Sequence, residues 1–323
     1  MNDPTPDWAV TISQLVHCYP GHRRQPPRQA LNELNLSIAA GSFFVLTGPN
    51  GSGKSTLFRI LCGLTRPSAG SIAIHGHDLF AHPQAARRCM GVVFQKPALD
   101  KHLSVLENLR IHADLYGIPS SLFEQKLAQA LLWSDLQDRL SDRVETLSGG
   151  LARQAELVKV LLHEPSLLIL DEPTTGLDPG GRIAFMSTLQ RLQQERHVTI
   201  LMTSHIFAEA EKADLVAILR QGILLAMDTP AALKKKLGRE ILVIQGESLA
   251  PLAADLNRRP DITLHTQNHE LRVQGGDLMG LMEELLLNYR GEIQSLAIKQ
   301  PSLEDVYIHL TGRTPTAEEE RFP

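Results

Sequence analysis

The chain has 323 residues, of which 43% are apolar and 21% charged, with a formal net charge of −4 and a pI near 6.4; this is an ordinary globular balance, long enough for two unequal domains. Nothing in it favours nucleic acid as a partner, no run of about 18 apolar residues is present to span a membrane, and the opening Met-Asn-Asp-Pro-Thr-Pro-Asp lacks the basic start and apolar core of a signal peptide. The three cysteines, Cys18, Cys62 and Cys89, show no Cys-x-x-Cys spacing, so neither a zinc site nor a disulfide framework is indicated and a reducing cytoplasm fits.

Residues 8–19 alternate as a strand, and a Pro/Arg-rich loop at 20–28 separates them from strand-like segments at 34–38 and 43–46, where an antiparallel edge is expected. A helix follows at 56–64, then a turn at 67–70 and strands at 71–74 and 91–94. Residues 104–145 have mostly helical periodicity, broken at 117–119 and 134–135, which predicts a helical insertion within an α/β fold. From Leu151 the apolar positions Leu151, Ala155, Val158, Leu161 and Leu162 share one helical face, and Pro165 closes that segment before the apolar run 167–170. With further runs at 199–203 and 215–219 this predicts a parallel-sheet core. A helix at 230–237 ends at Gly238, the expected boundary. Beyond it, strands are predicted at 240–245, 262–265, 271–274 and 293–299, with helices at 249–257 and 278–289. The tail after Gly312, with Pro315 and Glu318-Glu319-Glu320, is expected to be disordered.

Residues 48–56, Gly48-Pro49-Asn50-Gly51-Ser52-Gly53-Lys54-Ser55-Thr56, form a complete G-x-x-x-x-G-K-[ST] phosphate loop between an apolar strand and a helical pattern. Its glycines let backbone N–H groups turn inward on α- and β-phosphates, and the following helix presents its positive end. Lys54 can reach the β- and γ-phosphates, and the Ser55 hydroxyl is placed for the accompanying Mg²⁺. A bound ATP or GTP is the implied ligand. The apolar run at 167–170 ends in Asp171 and Glu172. That arrangement brings a magnesium-holding carboxylate, Asp171, to the ligand edge of the sheet, with Glu172 as the candidate general base for an attacking water. Leu147-Ser148-Gly149-Gly150 stands just before the helical face at Leu151, so a serine hydroxyl and glycine amides form an anion site at a helix start.

Placed between the phosphate loop and Asp171-Glu172, Leu147-Ser148-Gly149-Gly150 resembles the signature motif of the ATP-binding cassette (ABC) family, and other motifs fall in the family's order. Tyr19 is similar to the aromatic residue that stacks on adenine, and Gln95 to the glutamine that touches Mg²⁺ and senses the γ-phosphate. Gly176-Leu177-Asp178-Pro179 resembles the D-loop, and His205 in Thr203-Ser204-His205 the histidine that contacts the γ-phosphate. Residues 96–109, and the ending at 301–313, Pro301-Ser302-Leu303-Glu304-Asp305-Val306-Tyr307 through Arg313, resemble the daunorubicin-resistance-type exporters of the family. Some positions depart from the usual pattern. Leu151-Ala152-Arg153-Gln154 follow Gly150 where Gln or Met and then Gln-Arg are usual, Lys159 and Val160 replace the commoner Arg and Ala, and the loop at 20–28 is long.

The resemblance implies a P-loop NTPase core at 1–238 with an antiparallel β subdomain and a helical insertion at about 96–150, followed by a small α+β domain at 239–312. It implies that Lys54, Glu172 and His205 are catalytic, and that Ser55, Gln95 and Asp171 hold Mg²⁺. ATP would be held by Tyr19, residues 48–56, Gln95, residues 147–150 and Asp178. It further implies a head-to-tail dimer, of two copies or with a related subunit, and an integral-membrane permease as separate partner, which puts the chain on the inner face of the cell membrane. The alternative is a soluble cassette ATPase acting on ribosomes or DNA, whose paired cassettes, coiled coils or zinc sites are not visible here. For residues 239–312, structural support is the expected role.

Overall fold

The computed structural model describes residues 7–21, 26–267, 269–289 and 291–312; the tail from 313 and part of the loop at 20–28 lie outside them. Up to the end of the helical insertion the elements are β1 (Trp8–Tyr19), β2 (Arg28–Ala39), β3 (Phe43–Thr47), α1 (Lys54–Leu61), β4 (Ala69–Ile74), β5 (His77–Asp78), α2 (Pro83–Arg88), β6 (Met90–Val93), α3 (Val105–Leu115) and α4 (Ser120–Leu131). They continue with α5 (Gly149–Leu161), β7 (Leu167–Asp171), α6 (Pro179–Arg196), β8 (Thr199–Ser204), α7 (Phe207–Ala210), β9 (Leu215–Arg220), β10 (Ile223–Asp228) and α8 (Pro230–Lys235). The last group is β11 (Ile241–Gln245), α9 (Ala250–Leu256), β12 (Ile262–Gln267), β13 (Glu270–Gly275), α10 (Leu278–Asn288), β14 (Ser295–Lys299) and α11 (Leu303–Thr311).

Three sheets result, ordered β2-β1-β4-β5, β10-β9-β3-β8-β7-β6 and β12-β13-β11-β14. The first and third are antiparallel; the second is parallel except for β10 against β9. β1 and β2 make the expected antiparallel edge, but β3 does not join them. It lies between β8 and β9. The burial patterns explain the split: β2 keeps one face at least partly exposed, alternating over its second half, whereas all five residues of β3 are buried, so β3 needs cover on both faces.

α1 fills the space between the two sheets of the core. Its Leu57, Phe58, Ile60 and Leu61 join Ile12, Leu36 and Ile72 of the antiparallel sheet and Phe44, Ile169 and Leu201 of the parallel sheet in one buried cluster. On the other face of the parallel sheet, Phe43, Leu168, Leu170 and Met202 pack with Leu157 of α5 and with Phe185, Met186 and Leu189 of α6. α6, α2 and β10 have no counterpart in the sequence expectations. α6 carries many polar residues, and only its packing face, four buried side chains in 18 residues, marks it as part of the core. The helical insertion forms its own cluster, in which Val105, Leu109, Phe123 and Leu127 meet Ala155 and Val158 of α5 and Leu162 just past its end. Ser104 and Glu107 close a capping box at the start of α3.

In the third sheet β11, β13 and α9 and α10 share a separate cluster. α11, the terminal helix expected from the 301–313 stretch, belongs elsewhere: Leu303, Val306 and Tyr307 enter the cluster under the parallel sheet. The Leu303 N–H donates to Glu211 Oε1 at 3.1 Å, the Tyr307 and Phe207 rings lie 5.6 Å apart, and Asp305 pairs with Arg272 of β13. One short helix therefore ties the third sheet to the segment that follows His205.

Candidate nucleotide site

β3 delivers the chain to a loop that only glycine can make. A Cβ on Gly48, at φ +151°, would stand 2.2 Å from the Leu219 carbonyl oxygen, and one on Gly53, at φ +111°, 2.7 Å from that of Ala30. α1 then starts without a side-chain cap and without an acidic residue in its first turn, which leaves its N–H groups and positive end to an anion. Lys54, 4% exposed, folds back so that Nζ donates to the Gly48 and Pro49 carbonyls at 2.7 and 3.0 Å. Tyr19, at the end of β1, reaches the same loop, its hydroxyl 3.3 Å from Thr56 Oγ1. With Asn50, Gly51, Gly53, Lys54, Ser55 and Thr56 it lines a cleft of about 120 Å³.

β7 and β8 end beside that cleft. Asp171 Oδ1 accepts from Thr203 Oγ1 at 2.6 Å; burial raises this carboxyl above the usual range, against the Thr203 bond. Glu172 sits at φ +44°, a backbone region that costs a non-glycine residue about 1–3 kcal/mol. Its N–H donates to the Thr203 carbonyl and hydroxyl at 3.1 and 3.0 Å, which holds the turn. The carboxylate gathers its neighbours: Oε2 lies 3.1 Å from His205 Nδ1, 3.2 Å from Gln95 Nε2 and 3.4 Å from Thr175 Oγ1, and Oε1 lies 4.0 Å from Lys54 Nζ. Burial alone would raise the Glu172 carboxyl; the contacts with His205, Lys54 and Thr175 outweigh it and hold the group below the usual glutamate range. At neutral pH it is a carboxylate ready to accept a proton.

Lys54, Gln95, Asp171, Glu172 and His205 thus meet just past the carboxyl ends of β3, β6, β7 and β8, where a parallel sheet binds its ligand. Of these five only Lys54 lines the cleft of about 120 Å³ itself, and none of Leu147, Ser148, Gly149, Gly150 and Asp178 lines it. Ser148 is exposed and caps α5, its Oγ accepting from the Leu151 N–H at 3.3 Å; Gly149 and Gly150 open that helix, and Leu147 packs against the helical insertion. Asp178 caps α6, its Oδ1 accepting from the Gly181 N–H at 2.8 Å. A roomier cleft of about 310 Å³ between Trp133 and His197 lies at the opposite ends of β7 and β8 and contains none of these groups. Chemistry rather than volume places the site.

The ABC transporter family profile matches residues 31–175. The Nod factor export ATP-binding protein I of Rhizobium sp. (strain N33) is 35% identical over 289 residues, covering 88% of this chain and 92% of that protein. This chain belongs to the ABC transporter family. The linearmycin resistance ATP-binding protein LnrL of Bacillus subtilis (strain 168) is 32% identical over 87% of this ABC protein and 93% of its own length. Among solved structures, cbiO1 from Clostridium perfringens, part of the ABC transporter complex cbiONQ, superposes with a TM-score of 0.65 and 26% identity, covering 79% of this chain and 96% of that one.

The site of this ABC protein also contains residues that its motifs do not reveal. Arg28 Nη2 donates to the Gly51 carbonyl at 3.3 Å, which puts a cation beside the phosphate loop. Thr203 bonds both acidic positions, and Thr175 adds a donor to Glu172. Thr203 precedes Ser204-His205 directly, so its position was findable; Arg28 lies behind a loop whose path no local pattern predicts. Magnesium fits the donor set, because the Ser55 hydroxyl and the Asp171 carboxylate are hard oxygen ligands and Thr203 engages only Oδ1 of Asp171. Among the described residues no group of three or more His, Cys, Asp or Glu side chains forms a metal cage.

Proposed function

We propose that this chain is the ATP-binding and ATP-hydrolysing subunit of a membrane export complex, and that it drives a separate integral-membrane permease by closing on ATP in a head-to-tail pair. The partner in the pair is a second copy or a related cassette subunit. One observation carries the reading: Glu172 is a buried, ionised carboxylate held by His205 and Gln95 and placed 4.0 Å from the phosphate-loop lysine. The base of ATP stacks on Tyr19 and its phosphates lie along residues 48–56. Glu172 takes the proton of the attacking water, His205 orients Glu172 and faces the γ-phosphate, and Lys54 neutralises phosphate charge. Ser55, Asp171 and Gln95 would hold magnesium, which offsets the charge of the phosphates when bound.

Ser148, Gly149 and Gly150 lie exposed or half-exposed at the tip of α5 and outside the cleft, which supports their use, with Leu147 and Asp178, on the nucleotide of the opposite subunit. No helix among the described residues is long and apolar enough to cross a membrane; in this reading the permease is a separate chain and this one sits peripherally on the inner face of the cell membrane. Exposed Ile111, Leu115 and Leu122 on α3 and α4 give the helical insertion an apolar surface for that docking. The names of the relatives, Nod factor export and linearmycin resistance, favour export over import. Residues 239–312 serve as an accessory unit that supports the core through α11.

Mixing two inactive variants tests the shared site. Lys54→Ala and Ser148→Arg homodimers are each expected to be inert, whereas an equal mixture regains about a quarter of the wild-type rate, because half the dimers are mixed and each has one complete site. An inert mixture of two folded variants would overturn the head-to-tail reading.

A further inference from the structure

α5, capped by Ser148, runs past the segment that carries Gln95. Three side chains at successive turns of the helix reach across. Arg153 Nη1 donates to the Phe94 carbonyl at 2.6 Å and to Glu156 Oε2 at 2.7 Å, and Nη2 donates to the Gln95 carbonyl at 2.6 Å. Glu156 Oε1 accepts from the Ala98 N–H at 2.5 Å, and Lys159 Nζ donates to the Ala98 carbonyl at 2.8 Å. Every bond to the segment ends on backbone, so the helix holds the path of residues 94–98 whatever their side chains, and the Gln95 side chain stays free to bond Glu172. Arg153 and Glu156 are 3% and 1% exposed. Burial lowers the Arg153 guanidinium and raises the Glu156 carboxyl from their usual values, against the attraction of the pair. A buried ion pair of this kind stabilises no better than apolar residues of similar volume, and what it adds is geometry.

We propose that Arg153, Glu156 and Lys159 are positioning residues that join the Ser148 helix and the Gln95 segment into one lever, so that engagement of Ser148 with the nucleotide of the opposite subunit sets the place of Gln95 against Glu172 in its own. The inference rests on the roles given above to Ser148 and Gln95.

A double-mutant cycle in the full chain tests it. Gln95→Ala and Glu156→Gln each lower kcat for ATP about tenfold with KM within about twofold, and the double variant is no slower than the slower single, because both changes act through one group. Lys159→Gln, which removes a single bond from a partly exposed side chain, lowers kcat about threefold and provides the measurement if Glu156→Gln does not fold. Hydrogen exchange supplies a readout independent of turnover. A non-hydrolysable ATP analogue protects 94–98 and 147–151 together in the wild type, and in the Glu156 and Lys159 variants protects 147–151 alone. Losses that multiply to about a hundredfold in the double variant, or exchange in which the two segments still respond together, overturn the lever. If Gln95→Ala leaves kcat unchanged, the role of Gln95 falls instead, and the exchange result alone decides the lever.

Discussion

Glu172→Gln tests the role proposed for Glu172 as proton acceptor. The amide keeps the size of the side chain and one acceptor oxygen, so Thr175, at 3.4 Å, and Gln95, at 3.2 Å, can still be satisfied. Lost are the ability to take a proton and the attraction to Lys54 at 4.0 Å and to His205 at 3.1 Å. Against that loss stands the relief of a desolvated charge, since burial alone pushes this carboxyl upward; the two oppose, and the expected change in stability is within about 1 kcal/mol. A positioned general base contributes about 10²–10⁴ in rate, equivalent to roughly 3–5 kcal/mol of barrier. The assay is phosphate release at saturating ATP, with a thermal melt and a size measurement in ATP on the same sample. A folded variant with kcat reduced at least about a hundredfold, accumulating as an ATP-bound dimer, is expected. A folded variant that turns over within about threefold of wild type would refute the assignment of Glu172 as the base.

Tyr19→Ala removes the ring proposed to stack on the base and is expected to raise KM for ATP about ten- to a hundredfold, as stacking is worth roughly 1–3 kcal/mol, whereas Tyr19→Phe, which loses only the 3.3 Å contact with Thr56, changes it little. Tyr307 is 0% exposed and lies in the cluster under the parallel sheet, so Tyr307→Ala costs about 3–5 kcal/mol in urea unfolding, and kcat falls with it because Phe207 stands between that ring and the His205 turn. His112 is pushed down to about 3, chiefly by burial, with the His163 ring 3.3 Å away adding to it. The unfolded chain therefore binds more protons than the folded one between pH 6.5 and about 3, and stability is lost as pH falls through that window, by roughly 2 kcal/mol at pH 5. Urea midpoints at pH 7.5 and 5 check this, and His112→Gln flattens the difference.

The phosphate loop, the acidic pair after 167–170 and the serine cap at 148 were legible because each is a local arrangement: the turn needs glycine backbone, the strand needs an apolar run, and the cap needs a hydroxyl at one position before the helix. Their spacing along the chain implied a nucleoside triphosphate, ATP or GTP, and the resemblance to the family narrowed it to ATP. Which groups touch was decided elsewhere. Gln95 and Glu172 are 77 residues apart, and Glu172 and His205 meet only because β6, β7 and β8 lie side by side in that order. β3 left its sequence neighbour β2 for a place between β8 and β9 because a strand buried on both faces finds cover only inside a sheet. Nothing local in the sequence marks Arg153 and Glu156 for burial, which depends on the backbone of the Gln95 segment about sixty residues away. The docking of α11 beside Phe207, with its apolar face under the parallel sheet rather than in the cluster of the third sheet, has the same cause. Periodicity along a chain records that a face will be buried; only the closed loops of the folded chain determine what buries it.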